Sequence, residues 1–204
     1  VRINPLLVST GWLPDRRVGY ESADALVWIN PNPALLAGES QREALSEHVR
    51  SGGHLVLAAG SGWPALAQSF LAEFLPAAPA GSELVPDLPA LAAYGMTASE
   101  RKIVLMRMSD VKGTVVMRHG DAPVIVRGRY GAGTVTLIGF DPTAAPFNTL
   151  SDRGRFWAEV LRLDAARRER NKVGSMQGVS GPLIGALSEF PGFKPINFGL
   201  VAAF

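Results

Sequence analysis

His54-Leu55-Val56-Leu57-Ala58-Ala59-Gly60-Ser61-Gly62-Trp63 is the stretch on which the fold turns. Leu55 to Ala59 run apolar without alternation, the pattern of a strand covered on both faces. Gly60-Ser61-Gly62 then turns the chain into a helical pattern, roughly Trp63 to Phe74, closed by Pro76. Upstream the same alternation occurs. Ala25-Leu26-Val27-Trp28-Ile29 is a second buried run, ended by Asn30-Pro31-Asn32-Pro33. A helix over Glu39 to Arg50 follows, with Ala44, Leu45, His48 and Val49 at helical spacing and Ser51-Gly52-Gly53 as its stop. Strand, helix, strand, helix with short links predicts parallel strands joined by right-handed crossovers.

Downstream, residues 77–100 are rich in Ala, Pro and Gly with little periodicity, which reads as a surface excursion within one domain. From Ile103 four strand-like runs follow: Ile103 to Met106, Thr114 to Met117, Pro123 to Arg127 and Thr134 to Ile138. Arg129-Tyr130-Gly131-Ala132-Gly133 joins the last two as a hairpin, an antiparallel addition to the sheet. A final helix is expected over about Asp152 to Arg168, where Arg162, Arg167 and Arg168 suit the negative end of the helix dipole. The expected architecture is an α/β three-layer sandwich with a mainly parallel sheet and an antiparallel extension. It forms one domain over residues 1–165, followed by an irregular C-terminal tail over 166–204.

Composition narrows the function classes. The 204 residues are 47% hydrophobic and 19% charged, an ordinary globular balance. Lys plus Arg number 20 against 18 Asp plus Glu, a formal charge of only +2, so nucleic acid is not the expected partner. Cysteine is absent, which excludes disulfides, Cys-ligated zinc or iron–sulfur centres and thiolate nucleophiles. No cofactor and no metal is expected.

In an open parallel sheet, ligands sit beyond the carboxyl ends of the strands. Two loops belong there: Ala58-Ala59-Gly60-Ser61-Gly62-Trp63, whose glycines let backbone amides approach a ligand, and Gly139-Phe140-Asp141-Pro142-Thr143. Gly60, Ser61, Gly62 and Asp141 are therefore the candidate ligand-binding residues.

On these two loops the chain resembles the class I glutamine amidotransferase-like domains. That family's nucleophile elbow is an apolar strand, G-x-C-x-G and a helix, and its base lies in a later F-H-P-E. Val56-Leu57-Ala58-Ala59-Gly60-Ser61-Gly62 aligns with the elbow and Phe140-Asp141-Pro142-Thr143 with the base motif. The resemblance implies a flavodoxin-like fold and puts Gly60 at the nucleophile, Asp141 at the histidine and Thr143 at the orienting glutamate. All three triad members are missing, so the family's thiolate chemistry is expected to be absent. The order of Leu13-Pro14, Gly19-Tyr20, Ala23 to Val27, Gln41 to Val49, Gly52 to Val56, Gly131 to Val135, Gly139 to Pro142 and Pro146-Phe147 resembles a non-catalytic branch found in bacterial membrane-anchored proteins. It implies that Leu6-Leu7-Val8 is the second strand of the complete fold, the first lying upstream of Val1.

Each singled-out residue also has a plainer reading. Ser61 is either a replacement nucleophile or a hydroxyl capping the following helix. A serine nucleophile needs a base. Of His48, His54 and His119, only His119 is placed to approach. Asp141 reads as a metal ligand or, with no second ligand at spacing beside it, as a structural residue before Pro142. Trp28, Trp63 and Trp157 read as packing anchors, and Arg167 to Lys172 as a solvated helix end or a contact to anionic lipid. The start at Val1 and the apolar run from Phe198 to Phe204 suggest a fragment whose spanning helix begins near Ile196. The expected function is a non-enzymatic binding or interaction domain for an unknown protein or small-molecule partner. It would be held at the extracytoplasmic side of a bacterial membrane by segments outside the fragment. A serine hydrolase, a structural spacer and a cytoplasmic location are the alternatives.

Overall fold

The computed structural model describes residue 6 and residues 8–36, 38–96 and 102–162. Seven strands and three α-helices lie along them. They are β1 (Leu26–Ile29), α1 (Glu39–Arg50), β2 (His54–Ala58), α2 (Trp63–Ala67), β3 (Ala78–Val85), β4 (Ile103–Ser109), β5 (Thr114–His119), β6 (Ala122–Tyr130), β7 (Gly133–Ile138) and α3 (Arg153–Val160). Five strands form one sheet in the order β1-β2-β7-β6-β5, and β3 pairs with β4 in a separate two-stranded antiparallel sheet.

The apolar runs account for the centre of that sheet. Leu55, Val56, Leu57 and Ala58 of β2 are all completely buried, because β1 and β7 flank the strand in parallel and helices cover both faces. Side chains of successive strand residues point to opposite faces, and two cores result. Leu26, Trp28, Leu55, Leu57, Val135 and Leu137 face Ala44, Leu45 and Val49 of α1 and Leu66 of α2. Val27, Val56, Ala58 and Ile138 face Phe156 and Val160 of α3 and Leu91 and Tyr94 of a 3-10 helix, Pro89–Tyr94. The hairpin between β6 and β7 turns at Gly131, whose φ of 61° is a conformation that glycine adopts without steric cost.

The α/β class and the antiparallel addition are present. The sheet, however, is mixed rather than mainly parallel: β1/β2 and β2/β7 pair parallel, whereas β7/β6 and β6/β5 pair antiparallel. A doubly wound, flavodoxin-like sheet is therefore not what these strands form. The reason is local, since two short turns, at Gly120 and Gly131, send the chain straight back where a parallel sheet would require helical crossovers.

Four further expectations are corrected. Residues 77–100 contain β3 and the buried Leu88, Leu91 and Tyr94, so much of the stretch is structural rather than a surface excursion. Pro79 and Gly81, at a φ of 118°, interrupt the alternation by which a strand is recognised, and the β3/β4 register shifts between Pro79 and Ser82. The helix expected from Trp63 to Phe74 breaks: Ser69 is extended and its hydroxyl accepts from the Leu71 amide at 3.2 Å, starting a 3-10 helix over Phe70–Phe74. Neither Leu6 nor Val8 lies in a strand. The last helix ends at Val160, with Arg162 left-handed at a φ of 54°. The remainder of its expected span, the tail over 166–204, the Arg167 to Lys172 cluster and the expected membrane-spanning segment lie outside the described residues.

Candidate functional site

Three parallel strands end side by side, and their first loop residues meet. At the end of β1, Asn30 takes a φ of 46° and donates its backbone N–H to the Ala58 carbonyl at 2.7 Å. At the end of β2, the Ala59 amide donates to the Ile138 carbonyl of β7 at 3.0 Å, and Gly60 follows. Past β7, Gly139 is clamped between neighbours, its N–H on the Val124 carbonyl and its own carbonyl on the Met106 amide. Buried Phe140 then presents Asp141 at the surface.

The structure thus brings Gly60, Gly62 and Asp141 together and adds Asn30. The Asn30 side-chain amide donates to Asp141 Oδ2 at 2.6 Å, while Asp141 Oδ1 accepts from the Thr143 amide at 2.7 Å and the Thr143 hydroxyl at 2.6 Å. Both carboxylate oxygens are engaged by the protein itself. Gly60 sits at a close approach: a Cβ there would stand 3.1 Å from the Val104 carbonyl, tight enough to make the backbone give by a few tenths of an ångström, and 3.4 Å from the Asp141 amide. A Cβ on Gly62 would stand 3.4 Å from Asn30 Oδ1. The Val104 carbonyl of β4 and the Asn30–Asp141 pair stand between the two loops.

Ser61 is exposed, and its hydroxyl has no hydrogen-bond partner among the described residues. It does not cap the helix either: Gly62 occupies that position and no side chain caps α2. A base for it is not at hand. His48 stacks on Tyr20 at 5.0 Å on α1, and burial and nearby Arg17 hold its pKa below the ordinary value. His54 starts β2 at the opposite end of the sheet, bonded to the Thr136 hydroxyl at 3.0 Å; burial above all, then Arg127 and Arg162, lowers its pKa to about 4. His119 does lie at the same end of the sheet as Gly60. It ends β5, however, three strand positions from β2, on the order of 14 Å at about 4.8 Å per strand.

No group of three or more His, Asp or Glu among the described residues could hold a metal ion. Trp28 is buried in the first core, Trp63 packs against it and Trp157 packs against the second. Asn30 was not singled out in the sequence, because an Asn before Pro at a strand end carries the same signal as any turn residue.

No curated protein matches the chain. Two solved structures share the fold: Cytoplasmic Protein STM1381 from Salmonella typhimurium LT2, with a TM-score of 0.59 at 16% identity over 74% of this chain and 76% of that one, and Cytoplasmic Protein STM3548 from Salmonella typhimurium, with a TM-score of 0.55 at 16% identity over 74% and 75%. At that identity the likeness shows the fold alone. No described helix is long and apolar enough to cross a membrane. These findings correct the resemblance to amidotransferase-like domains of membrane-anchored proteins, because the family model that matches is a different one. By the match over residues 16–141, the chain belongs to the family described as domain of unknown function DUF4350.

Proposed function

We propose that the chain is a non-enzymatic binding or interaction domain in which the crevice at the strand ends serves as a structural clamp. One observation carries this reading: both oxygens of Asp141 are already bonded, to Asn30 and to Thr143, at distances of 2.6–2.7 Å. Three of the carboxylate's roughly four acceptor sites are thereby taken by groups of the protein itself, which holds the side chain in a structural role. Here the loops bind one another. The exposed Ser61 lacks the oriented base that would make it a nucleophile. We place the domain in the cytoplasm, the location in the names of the two Salmonella proteins that share its fold.

The test is activity-based labelling of the 204-residue chain with a fluorophosphonate, which modifies only activated serines. No labelling of Ser61 is expected, and hydrolysis of p-nitrophenyl acetate should be unchanged by Ser61→Ala. Labelling that disappears in Ser61→Ala would establish a serine hydrolase and overturn the proposal.

A further inference from the structure

The opposite end of the sheet has the character that the strand-end crevice lacks. Arg127 and Arg129 lie two residues apart on β6 and so point to the same face. Register places Thr114 of β5 across from Arg127, and Thr134 of β7 across from Arg129. Cross-strand partners share a face, so four polar side chains stand together on one side of the sheet. This is the side covered by α3. That helix ends at Val160, and Arg162 follows its end in a left-handed conformation, at a φ of 54°. Lys112, in the loop before β5, closes the perimeter. The result is a cleft of about 520 Å³ lined by Lys112, Thr114, Arg127, Arg129, Thr134 and Arg162, with no carboxylate among the described residues of its wall.

Four cations around one concavity is an unbalanced arrangement in a chain whose net charge is only +2. Among the described residues, none of the four has a carboxylate within ion-pair distance. Arg127 is half-buried and spends its donors on the Thr136 hydroxyl at 3.2 Å and on the Glu159 and Val160 carbonyls at the end of α3. Those bonds fix the guanidinium without neutralising it. Its pKa is held below the ordinary value, first by burial and then by Arg162, with Glu159 acting weakly in the other direction. The Glu159 carboxylate is taken up by the Tyr94 hydroxyl at 2.6 Å.

We propose that this cleft binds a small, multiply charged phosphoryl anion, with Arg129, Arg162 and Lys112 as its charge contacts, the Thr114 and Thr134 hydroxyls as neutral donors and Arg127 as the fixed floor. Like charges gathered in a cleft repel until an anion is bound, and planar guanidinium groups suit phosphoryl oxygens. The threonines supply donors and no competing charge. The site stands at the other end of the sheet from the clamp and does not depend on it.

Isothermal titration of the 204-residue chain with inorganic pyrophosphate, at low ionic strength and without divalent cations, tests the assignment. One saturable site per chain is expected. Arg129→Ala and Arg162→Ala should each weaken it by about tenfold or more, the loss typical of one charge-assisted contact. Both arginines are exposed, so circular dichroism should show the fold unchanged. Arg118→Ala, removing an exposed arginine near the far end of β5, should leave the affinity as it is. The proposal is overturned by the absence of saturable heat, by equal weakening in Arg118→Ala, or by sulfate binding as tightly as pyrophosphate.

Discussion

Replacing Asp141 by alanine separates a structural clamp from a functional acid. The substitution removes the acceptor of three hydrogen bonds, from the Asn30 amide at 2.6 Å, the Thr143 amide at 2.7 Å and the Thr143 hydroxyl at 2.6 Å. Hydrogen bonds to charged groups contribute about 1.5–3 kcal/mol when buried. Asp141 is half-buried beside an exposed Asn30, so about 1 kcal/mol each is the appropriate scale, and Asp141→Ala should cost about 2–3 kcal/mol. For a domain of this size that corresponds to a fall in Tm of roughly 5–10 °C. Asp141→Asn should cost only about 1 kcal/mol, because one carbonyl oxygen still accepts from Thr143 and Asn30 can turn its own amide to offer an oxygen. Urea unfolding of Asp141→Ala, Asn30→Ala and the double variant gives the Asn30–Asp141 coupling directly, expected at about 1 kcal/mol. Residues held for function tend to cost stability. A Tm that rises in Asp141→Ala, or a coupling indistinguishable from zero, would therefore refute the clamp.

Two other outcomes are expected. Phe140 is fully buried, stacked on Phe147 with centroids 3.9 Å apart and rings 8° from parallel, so Phe140→Ala should lose about 3–5 kcal/mol in urea unfolding, and Phe140→Leu markedly less. His54 has a pKa of about 4 when folded against about 6.5 when unfolded, so protons bind the unfolded chain preferentially below the latter value. Its contribution is fully present above about pH 6.5 and is lost as pH falls towards about 4, a change of at most about 3 kcal/mol. His54→Gln, which can still bond Thr136, should flatten stability over that window. An unaltered pH profile would show that His54 does not carry it.

How much of this was legible in the sequence depends on whether the signal is local. Leu55 to Ala59 followed by Gly60-Ser61-Gly62 located β2 and its turn, because a strand buried on both faces needs no alternation and a glycine turn marks its end. The hairpin at Gly131 was legible for the same reason. The direction of β6 and β5 relative to the parallel strands was implied by that hairpin, yet its consequence, a mixed sheet, was outweighed by the alternating pattern upstream. β3 escaped because Pro79 and Gly81 break its alternation, and its identity as a strand comes from pairing with the distant β4. At the strand-end site, Gly60 and Asp141 were placed together by the expected topology. What they do there rests on Asn30, which lies 111 positions from Asp141 in the chain.

The mixed sheet has a consequence for where a ligand can sit. In a wholly parallel sheet every strand delivers its carboxyl end to one side, and the loops that follow leave a crevice there. Here β6 runs against β7, so the side where β1, β2 and β7 end receives only the beginning of β6, and β4 comes in close enough that a Cβ on Gly60 would stand 3.1 Å from the Val104 carbonyl. There the Val104 carbonyl and the Asn30–Asp141 pair stand between the loops. On the other side, the end of β6 meets the beginnings of β5 and β7, and Arg129, Thr114 and Thr134 are brought into register by pairings that no parallel arrangement would make. α3 ends at Val160, and Arg127 ties its last carbonyls to the sheet. The antiparallel β6/β7 hairpin is thus the element that assembles cations at the amino-terminal end of the parallel strands, and a search for ligands of this domain belongs there.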